Sequence, residues 1–175
     1  MDATITLRRW VVEDADVLSA VVFANIEHLR PWMPWVADEP VSLATRRRIL
    51  ELWEAGWESG ADRHFGIFDG EEAIGSIAAM RRISSGGLEI GYWLDRGHIG
   101  RGIATAATRC VTTAALAEPG VVRVRIHHDK ANEASAGVPR RLGFTLIEEV
   151  AEEVAAPGEC GVSWHWEMTA SRWWR

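Results

Sequence analysis

The stretch L-E-I-G-Y-W-L-D-R-G-H-I-G-R-G-I-A-T-A-A-T-R, residues 88–109, constrains this chain more than any other. A strand-like run leads into Gly97, Gly100 and Gly102, and a helix of small residues follows at once. Glycine lets the backbone turn sharply and lets a ligand approach it closely. The unbonded N–H groups and the dipole of a helix start then make an anion site. Taken alone, the same residues also fit a plain strand-to-helix turn. A P-loop is disfavoured because no Lys follows any of the glycines. A dinucleotide fingerprint is disfavoured too, since Thr105 stands where its third glycine belongs and Glu118 falls in a loop.

Elements alternate around this turn. Thr4–Arg9 predicts a first strand, and Asp14 or Asp16 a cap for a helix to about His28, with Val17, Ala20, Val21 and Ala24 on one face. Prolines forbid regular helix in Leu29–Pro40, and Ser42 caps a second helix to about Ser59 bearing Ile49, Leu50, Trp53 and Trp57. His64–Phe68, Ala73–Arg82 and Leu88–Leu94 read as an antiparallel meander that turns at Asp69-Gly70 and Ser84-Ser85-Gly86-Gly87. Ile103–Ala117 is a helix, Val121–His127 a strand, Ala131–Leu142 a helix closed by Gly143, and Phe144–Val154 with Gly161–Thr169 a final strand pair. This order predicts an α/β (α+β) fold. Its core is one mixed, mostly antiparallel sheet of about seven strands flanked by about four helices, in a single domain spanning 1–175.

Composition narrows the function classes. With 175 residues, 47% apolar and 25% charged, the chain is neither disordered, collagenous nor a coiled coil. No apolar run reaches about 18 residues, and Met1-Asp2-Ala3 opens no signal peptide. Cys110 and Cys160 are too few for a disulfide framework, so the expected compartment is the cytoplasm. A net charge of −6 makes nucleic acid and anionic membranes poor partners. The anomaly is ten Trp, a residue that needs a partner for its N–H when buried.

The segment E-I-G-Y-W-L-D-R-G-H-I-G-R-G-I-A-T-A-A, followed from Asn132 by N-E-A-S-A-G-V-P-R-R-L-G-F, resembles the GNAT superfamily of acyl-CoA-dependent N-acetyltransferases. Within it the chain is most similar to the Rim-type ribosomal-protein N-terminal acetyltransferases and their small-molecule relatives, whose substrate-side loop L-R-P-W-M-P-W resembles. The resemblance implies splayed fourth and fifth strands, acetyl-CoA as co-substrate, no metal, and direct attack of an amine on the thioester in a ternary complex. It also implies that the backbone of Tyr92, Trp93 and Leu94 holds the pantetheine arm. The pyrophosphate would sit on Gly100, Arg101, Gly102, Ile103, Ala104 and Thr105. Ile99 replaces the family's leading Gln or Arg, so His98 or Arg101 is expected to make that contact. Asn132 would bond the pantetheine amide and Ser135 would protonate the leaving thiolate, though both equally suit a helix cap. Arg140, with Arg96, Arg101 and Arg141, would form a basic patch for the phosphates.

The attacking amine must be neutral. Deprotonating an α-amino group (pKa about 8) costs about 1 kcal/mol at pH 7, and a Lys-like amine (about 10.4) about 5. Glu89 is the candidate base, with Glu149, Glu152 and Glu153 behind it; an ordinary strand-edge acid is its other reading. His127 and His128 are adjacent on a strand, so one should face in and one out, and neither has partners at metal-ligand spacing. Trp32 and Trp35, with Glu89 and Tyr92, are expected to wall the acceptor site, where Glu27, Asp38 and Glu39 favour a cationic amine; closing the core is the alternative role of both Trp. Trp53 and Trp57 are expected in the core, and Trp164 and Trp166 on one face of the last strand. The tail pair Trp173-Trp174 is expected against a partner subunit, as in a homodimer, or beside the acceptor cleft. Acetyl and succinyl both remain open as the acyl group, and a protein N-terminus, a polyamine, an amino acid or an antibiotic as the acceptor. Two rivals also remain: a CoA-binding module without catalysis, motivated by Ile99, and a nucleotide-binding protein using the same turn.

Overall fold

The computed structural model describes residues 5–84 and 86–175, so Thr4 of the expected first strand and Ser85 of the expected turn lie outside the described residues. Strand β1 (Ile5–Arg9) leads to helices α1 (Ala15–Leu29) and α2 (Leu43–Ser59), then the meander β2 (Arg63–Asp69), β3 (Glu72–Ile83) and β4 (Gly87–Leu94). Helix α3 (Ile103–Leu116), strand β5 (Arg123–Asp129), helix α4 (Glu133–Arg141), strands β6 (Thr145–Ala151) and β7 (Val162–Thr169), and a one-turn α5 (Ala170–Trp173) complete the chain. The seven strands form one sheet ordered β1-β2-β3-β4-β5-β7-β6. Its neighbours are antiparallel except β4 and β5, which run parallel.

Local chemistry sets most boundaries. Ser42 caps α2 by accepting from the Thr45 amide at 3.1 Å, and Gly60 ends it at φ +69°. The segment after α1 forms a short 3-10 turn over Pro34–Asp38 rather than continuing the helix. Asp14 precedes α1 without capping it, because Arg8 holds its carboxylate at 2.6 Å. The face of α1 is also displaced from the expected one. Leu18, Val22, Asn25 and Leu29 are buried, whereas Val17 is exposed. Because α1 is apolar nearly all round, hydrophobic spacing does not choose its inner face; the hydrogen bonds of Asn25 do.

Two cores flank the sheet. On one side Ile77, Leu88, Ile90, Val124 and Ile126 pack against Ile103, Ala107 and Val111 of α3. On the other, Trp10, Phe68 and Ala73 pack against Leu18, Val22 and Leu50 of α1 and α2. Trp10 is fully buried and donates through Nε1 to Ser76 Oγ at 3.1 Å, satisfying its one polar atom. Trp173 covers part of the first core and donates to Thr113 Oγ1 at 3.2 Å, while Trp174 remains exposed. The tail ring therefore packs on its own chain at α3, not at the acceptor cleft.

Candidate active site

Strands β4 and β5 pair at Gly87↔Arg123, Leu88↔Val124 and Glu89↔Arg125, and there the pairing stops. Beyond Glu89 the two strands part, leaving that edge of β4 open through Leu94. Two clefts meet at the opening. The smaller, about 400 Å³, lies between the end of β4, the start of α3 and one side of α4. The larger, about 840 Å³, lies on the α1–α2 side of the sheet. Tyr92, Trp93, Asn132 and Ser135 line both, as do Trp32 and Met33 from the loop after α1.

The smaller cleft ends on the glycine turn. Gly100 and Gly102 adopt φ +74° and +79°, a left-handed conformation that disfavours any side chain. Gly102 is the N-cap of α3 and offers no side chain to it, so the first-turn amides stay free for a ligand. Asn25, buried on α1, holds the turn from behind. Its amide donates to Asp95 Oδ1 at 2.8 Å and its oxygen accepts from the Arg96 amide at 2.9 Å. Asp95 Oδ2 in turn takes the Gly97 amide and the His98 ring, both at 2.8 Å, and these donors hold its carboxyl below the usual range against the opposing effect of burial. No feature of the sequence singled out Asn25 among the polar residues of α1, which also carries Asp16, Ser19, Glu27 and His28.

Charged side chains sit differently from the expected patch. Arg140 turns away, paired with Glu133 at 2.8 Å and lying over the rings of Trp164 and Trp166. Arg141 lines the smaller cleft instead, its Nε donating to Thr105 Oγ1 at 3.1 Å. Arg101 points toward Asp69, 4.0 Å away, and His98 is engaged by Asp95. Neither lines the cleft, so the place of the missing Gln or Arg is filled by Ile99 itself. Leu94, Ile103, Ala104 and Thr105 line it as well.

Of the two roles expected for Asn132 and Ser135, the helix cap is visible in the hydrogen bonds. Asn132 caps α4 through a 3.1 Å bond from the Ser135 amide, and both side chains remain at the meeting of the clefts. Tyr92, expected for its backbone and as part of the acceptor wall, also reaches Ser135 with its hydroxyl. Tyr92 Oη donates to the Ser135 carbonyl at 3.0 Å and stands 3.2 Å from Ser135 Oγ. Burial pushes its ionisation up to about 12.

Glu89 lines the larger cleft. Burial raises its pKa, against the pull of Arg82 at 3.8 Å, and His127 Nδ1 lies 3.5 Å from its other oxygen. His127 stacks on His165 at 3.8 Å, and its pKa falls to about 4 through burial and neighbouring positive charge. Both His127 and His128 line this cleft, yet their rings keep the in-and-out alternation, His127 stacking on His165 across the strand pair and His128 packing with Trp164 and Trp166 on the other face. His128 is locked as the neutral ring, donating Nδ1–H to the Asp129 carbonyl at 2.8 Å and accepting Trp166 Nε1–H at 2.9 Å. Glu152 lines the cleft, whereas Glu149 is held by Lys130 and the Trp164 N–H; Glu153 is exposed.

Trp32 and Trp35 line the larger cleft, Trp35 lying 6.3 Å from Trp93. Trp53 belongs there too rather than wholly to the core: its ring stacks on His64 at 4.2 Å, and burial lowers the His64 pKa to about 4. Trp57 is half-buried, edge-on to Phe65. Of the expected acids, Asp38 lines the cleft, Glu39 is neutralised by Arg46 at 2.6 Å, and Glu27 is exposed beside Arg30. Both cysteines are free and exposed. Among the described residues no group of three or more His, Cys, Asp or Glu is placed to hold a metal, and no helix is long and apolar enough to cross a membrane.

Known proteins resemble this chain in sequence and in fold. The family description "Acetyltransferase (GNAT) domain" matches residues 4–145. The "Putative ribosomal N-acetyltransferase YdaF" of Bacillus subtilis (strain 168) is 36% identical over 148 residues, covering 80% of this chain and 77% of its own. The "Probable N-acetyltransferase YjcK" of the same organism is 30% identical over 154 residues, covering 85% and 79%. A solved RimL, titled a ribosomal L7/L12 alpha-N-protein acetyltransferase in complex with coenzyme A, has the same fold, with a TM-score of 0.87 at 23% identity over 95% of this chain and 94% of that one. A splayed sheet with a glycine turn at its opening, and relatives of this kind, lead to one conclusion: the chain belongs to the GNAT family of acetyltransferases and is an enzyme that moves acetyl from acetyl-CoA to an amine.

Proposed function

We propose that the amine is the α-amino group of a protein N-terminus, brought through the larger cleft to acetyl-CoA in the smaller one. The observation that carries this reading is the meeting of the two clefts at Tyr92, Trp93, Asn132 and Ser135, with Glu89 on the wall of the larger. A cleft of about 840 Å³ has room for a chain end, and Trp32, Trp35, Asp38 and Glu152 offer it aromatic walls and negative charge. An α-amine also needs only the modest help of one carboxylate to lose its proton. The ribosomal assignment in the names of YdaF and RimL supports the same acceptor class.

The roles follow from position. The open edge of β4 at Tyr92, Trp93 and Leu94 takes the pantetheine amides as a sheet edge takes a strand. The turn from Gly100 to Thr105 and the Arg141 guanidinium take the phosphates, and Asn132 takes a pantetheine amide. Glu89 accepts a proton from the incoming ammonium. The freed nitrogen attacks the thioester carbonyl, a C–N bond forms, the C–S bond breaks, the Ser135 hydroxyl supplies a proton to the departing sulfur, and the second proton that the nitrogen sheds on becoming an amide restores that hydroxyl. Positioning of the two substrates supplies most of the rate. The same reading takes 1–175 as one cytoplasmic domain that prefers acetyl to succinyl. It has neither nucleic acid nor membrane as partner, and it forms a homodimer through the surface that carries exposed Trp174.

Mass spectrometry of the purified enzyme with acetyl-CoA or succinyl-CoA tests this. The panel comprises peptides with free N-termini, the same peptides N-terminally blocked, lysine, spermidine and an aminoglycoside. Acetylation confined to free peptide N-termini is expected. Turnover of spermidine or the aminoglycoside with none of any peptide overturns the acceptor assignment.

A further inference from the structure

Strands β2, β3 and β4 present one face to α1 and α2. Alternation puts His64 of β2, Ser76, Ala78 and Met80 of β3, and Glu89, Gly91 and Trp93 of β4 on that face. Register arranges them in rows across the sheet. Met80 lies opposite Glu89 and Ser76 opposite Trp93; between those rows Ala78 lies opposite Gly91, with His64 next to it on β2. Glu89 and Trp93 stand about 13 Å apart along β4, and Gly91 is the one residue between them on this face. Beyond its chain neighbours, a Cβ on Gly91 would touch only the terminal methyl of Met80, at 3.2 Å, so the space above it is open. Ala78, Gly91 and Met80 line the larger cleft, as do Trp53, His64 and Trp93 around them.

This hollow is walled by apolar surface. The Ser76 hydroxyl at its edge is engaged, donating to the Phe65 carbonyl at 3.0 Å and accepting from Trp10 Nε1 at 3.1 Å. Trp53 covers one face of the His64 ring, parallel to it within 4°, and burial keeps that ring neutral at pH 7. Neither residue brings a charge. We propose, resting on the reading of the acceptor as a protein N-terminus, that the hollow over Ala78 and Gly91 seats the acceptor's first side chain, and that this side chain is large and apolar, as in Met, Leu or Phe. An α-amine held at Glu89 and its own side chain leave the same Cα, so the two need places close together. The hollow lies one same-face step from Glu89, about 7 Å along β4. A large apolar side chain there takes Met80, Trp53 and Trp93 out of water, whereas Gly or Ser leaves them wet. A charged side chain would shed its own water against apolar rings.

The test is kcat/KM of the purified enzyme with acetyl-CoA and peptides that differ only in the first residue: Gly, Ser, Asp, Lys, Met, Leu or Phe. Met, Leu and Phe are expected to exceed the other four by about ten- to a hundredfold. Gly91→Val fills the hollow and should bring the ratio of Leu to Gly within about twofold of unity. Valine suits a strand, and its Cβ displaces only the flexible end of Met80, so the fold is kept. Met80→Ala widens the hollow instead and should raise Phe over Leu about fivefold. Equal rates across the series, a preference for Gly or Ser, or an unmoved Leu-to-Gly ratio in Gly91→Val overturns the inference. If Gly91→Val proves inactive, Met80→Ala decides, and an unmoved Phe-to-Leu ratio overturns it. Should no peptide be acetylated whatever its first residue, the N-terminal acceptor itself falls. If peptides are acetylated without this preference, only the present inference does.

Discussion

Asn25 donates to Asp95 across 2.8 Å, and this bond joins α1 to the glycine turn at the end of the smaller cleft. Asn25→Ala removes a partner from Asp95 Oδ1 and from the Arg96 amide, both at a half-exposed position that water partly reaches, which costs about 1 kcal/mol. The expected result is a lower Tm and CoA binding weakened about tenfold. Melting curves and calorimetric titration with CoA check both.

Ser135→Ala leaves the α4 cap intact, because the capping bond uses the Ser135 amide and not its hydroxyl. The Kd for CoA should therefore stay unchanged while kcat falls on the order of a hundredfold. Equilibrium binding beside steady-state rates distinguishes this outcome from a folding defect.

Glu89 carries opposite consequences for rate and stability. Burial raises its pKa in the fold, so its contribution to stability is present below the unfolded pKa and is lost as pH rises through the folded one. At neutral pH the charged carboxylate therefore weakens the fold. Glu89→Gln should raise Tm at pH 7, leave it unchanged near pH 4, and depress kcat/KM. In the wild type the acid limb of the pH–rate profile should lie above the ordinary glutamate range.

Arg141 and Arg140 are neighbours with different duties. Arg141→Ala should raise KM for acetyl-CoA about tenfold and flatten its salt dependence, because the lost contact is a charge-assisted one. Arg140→Ala, whose partner is Glu133, should leave that KM within about twofold.

His64 and His127 are both held near pKa 4, chiefly by burial. The unfolded chain takes up these protons at about pH 6.5 and the fold refuses them. Stability should decline as pH drops below 6.5 and level off near 4, with His64, the more deeply buried ring, contributing the larger share. Urea titrations at pH 7.5, 5.5 and 4.5 measure the decline, and His64→Gln should reduce it.

The parts of this site legible in the sequence are those made by backbone. Gly100 and Gly102 announced the sharp turn before α3 because only glycine sits easily at positive φ. The meander and crossover order followed from alternation and turn residues. Side-chain destinations were less legible where two neighbours have the same chemistry. Arg140 and Arg141 are indistinguishable in the sequence, and only the rotation of α4 sends one to Glu133 and the other to the cleft. The inner face of α1 failed for a related reason, since Val17 and Leu18 are equally apolar and long-range bonds to the Asp95 turn chose between faces. Trp53 was read as core from its spacing, but the cleft beside His64 leaves one side of its ring open.

The parting of β4 from β5 also bears on how the protein behaves in the tube. A sheet normally has two borders, and this one has in addition an internal border of unpaired peptide groups from Ile90 onward. Borders of that kind recruit stray strands. Enzyme purified without coenzyme A should accordingly be the preparation that clouds on storage, and coenzyme A the additive that keeps it clear.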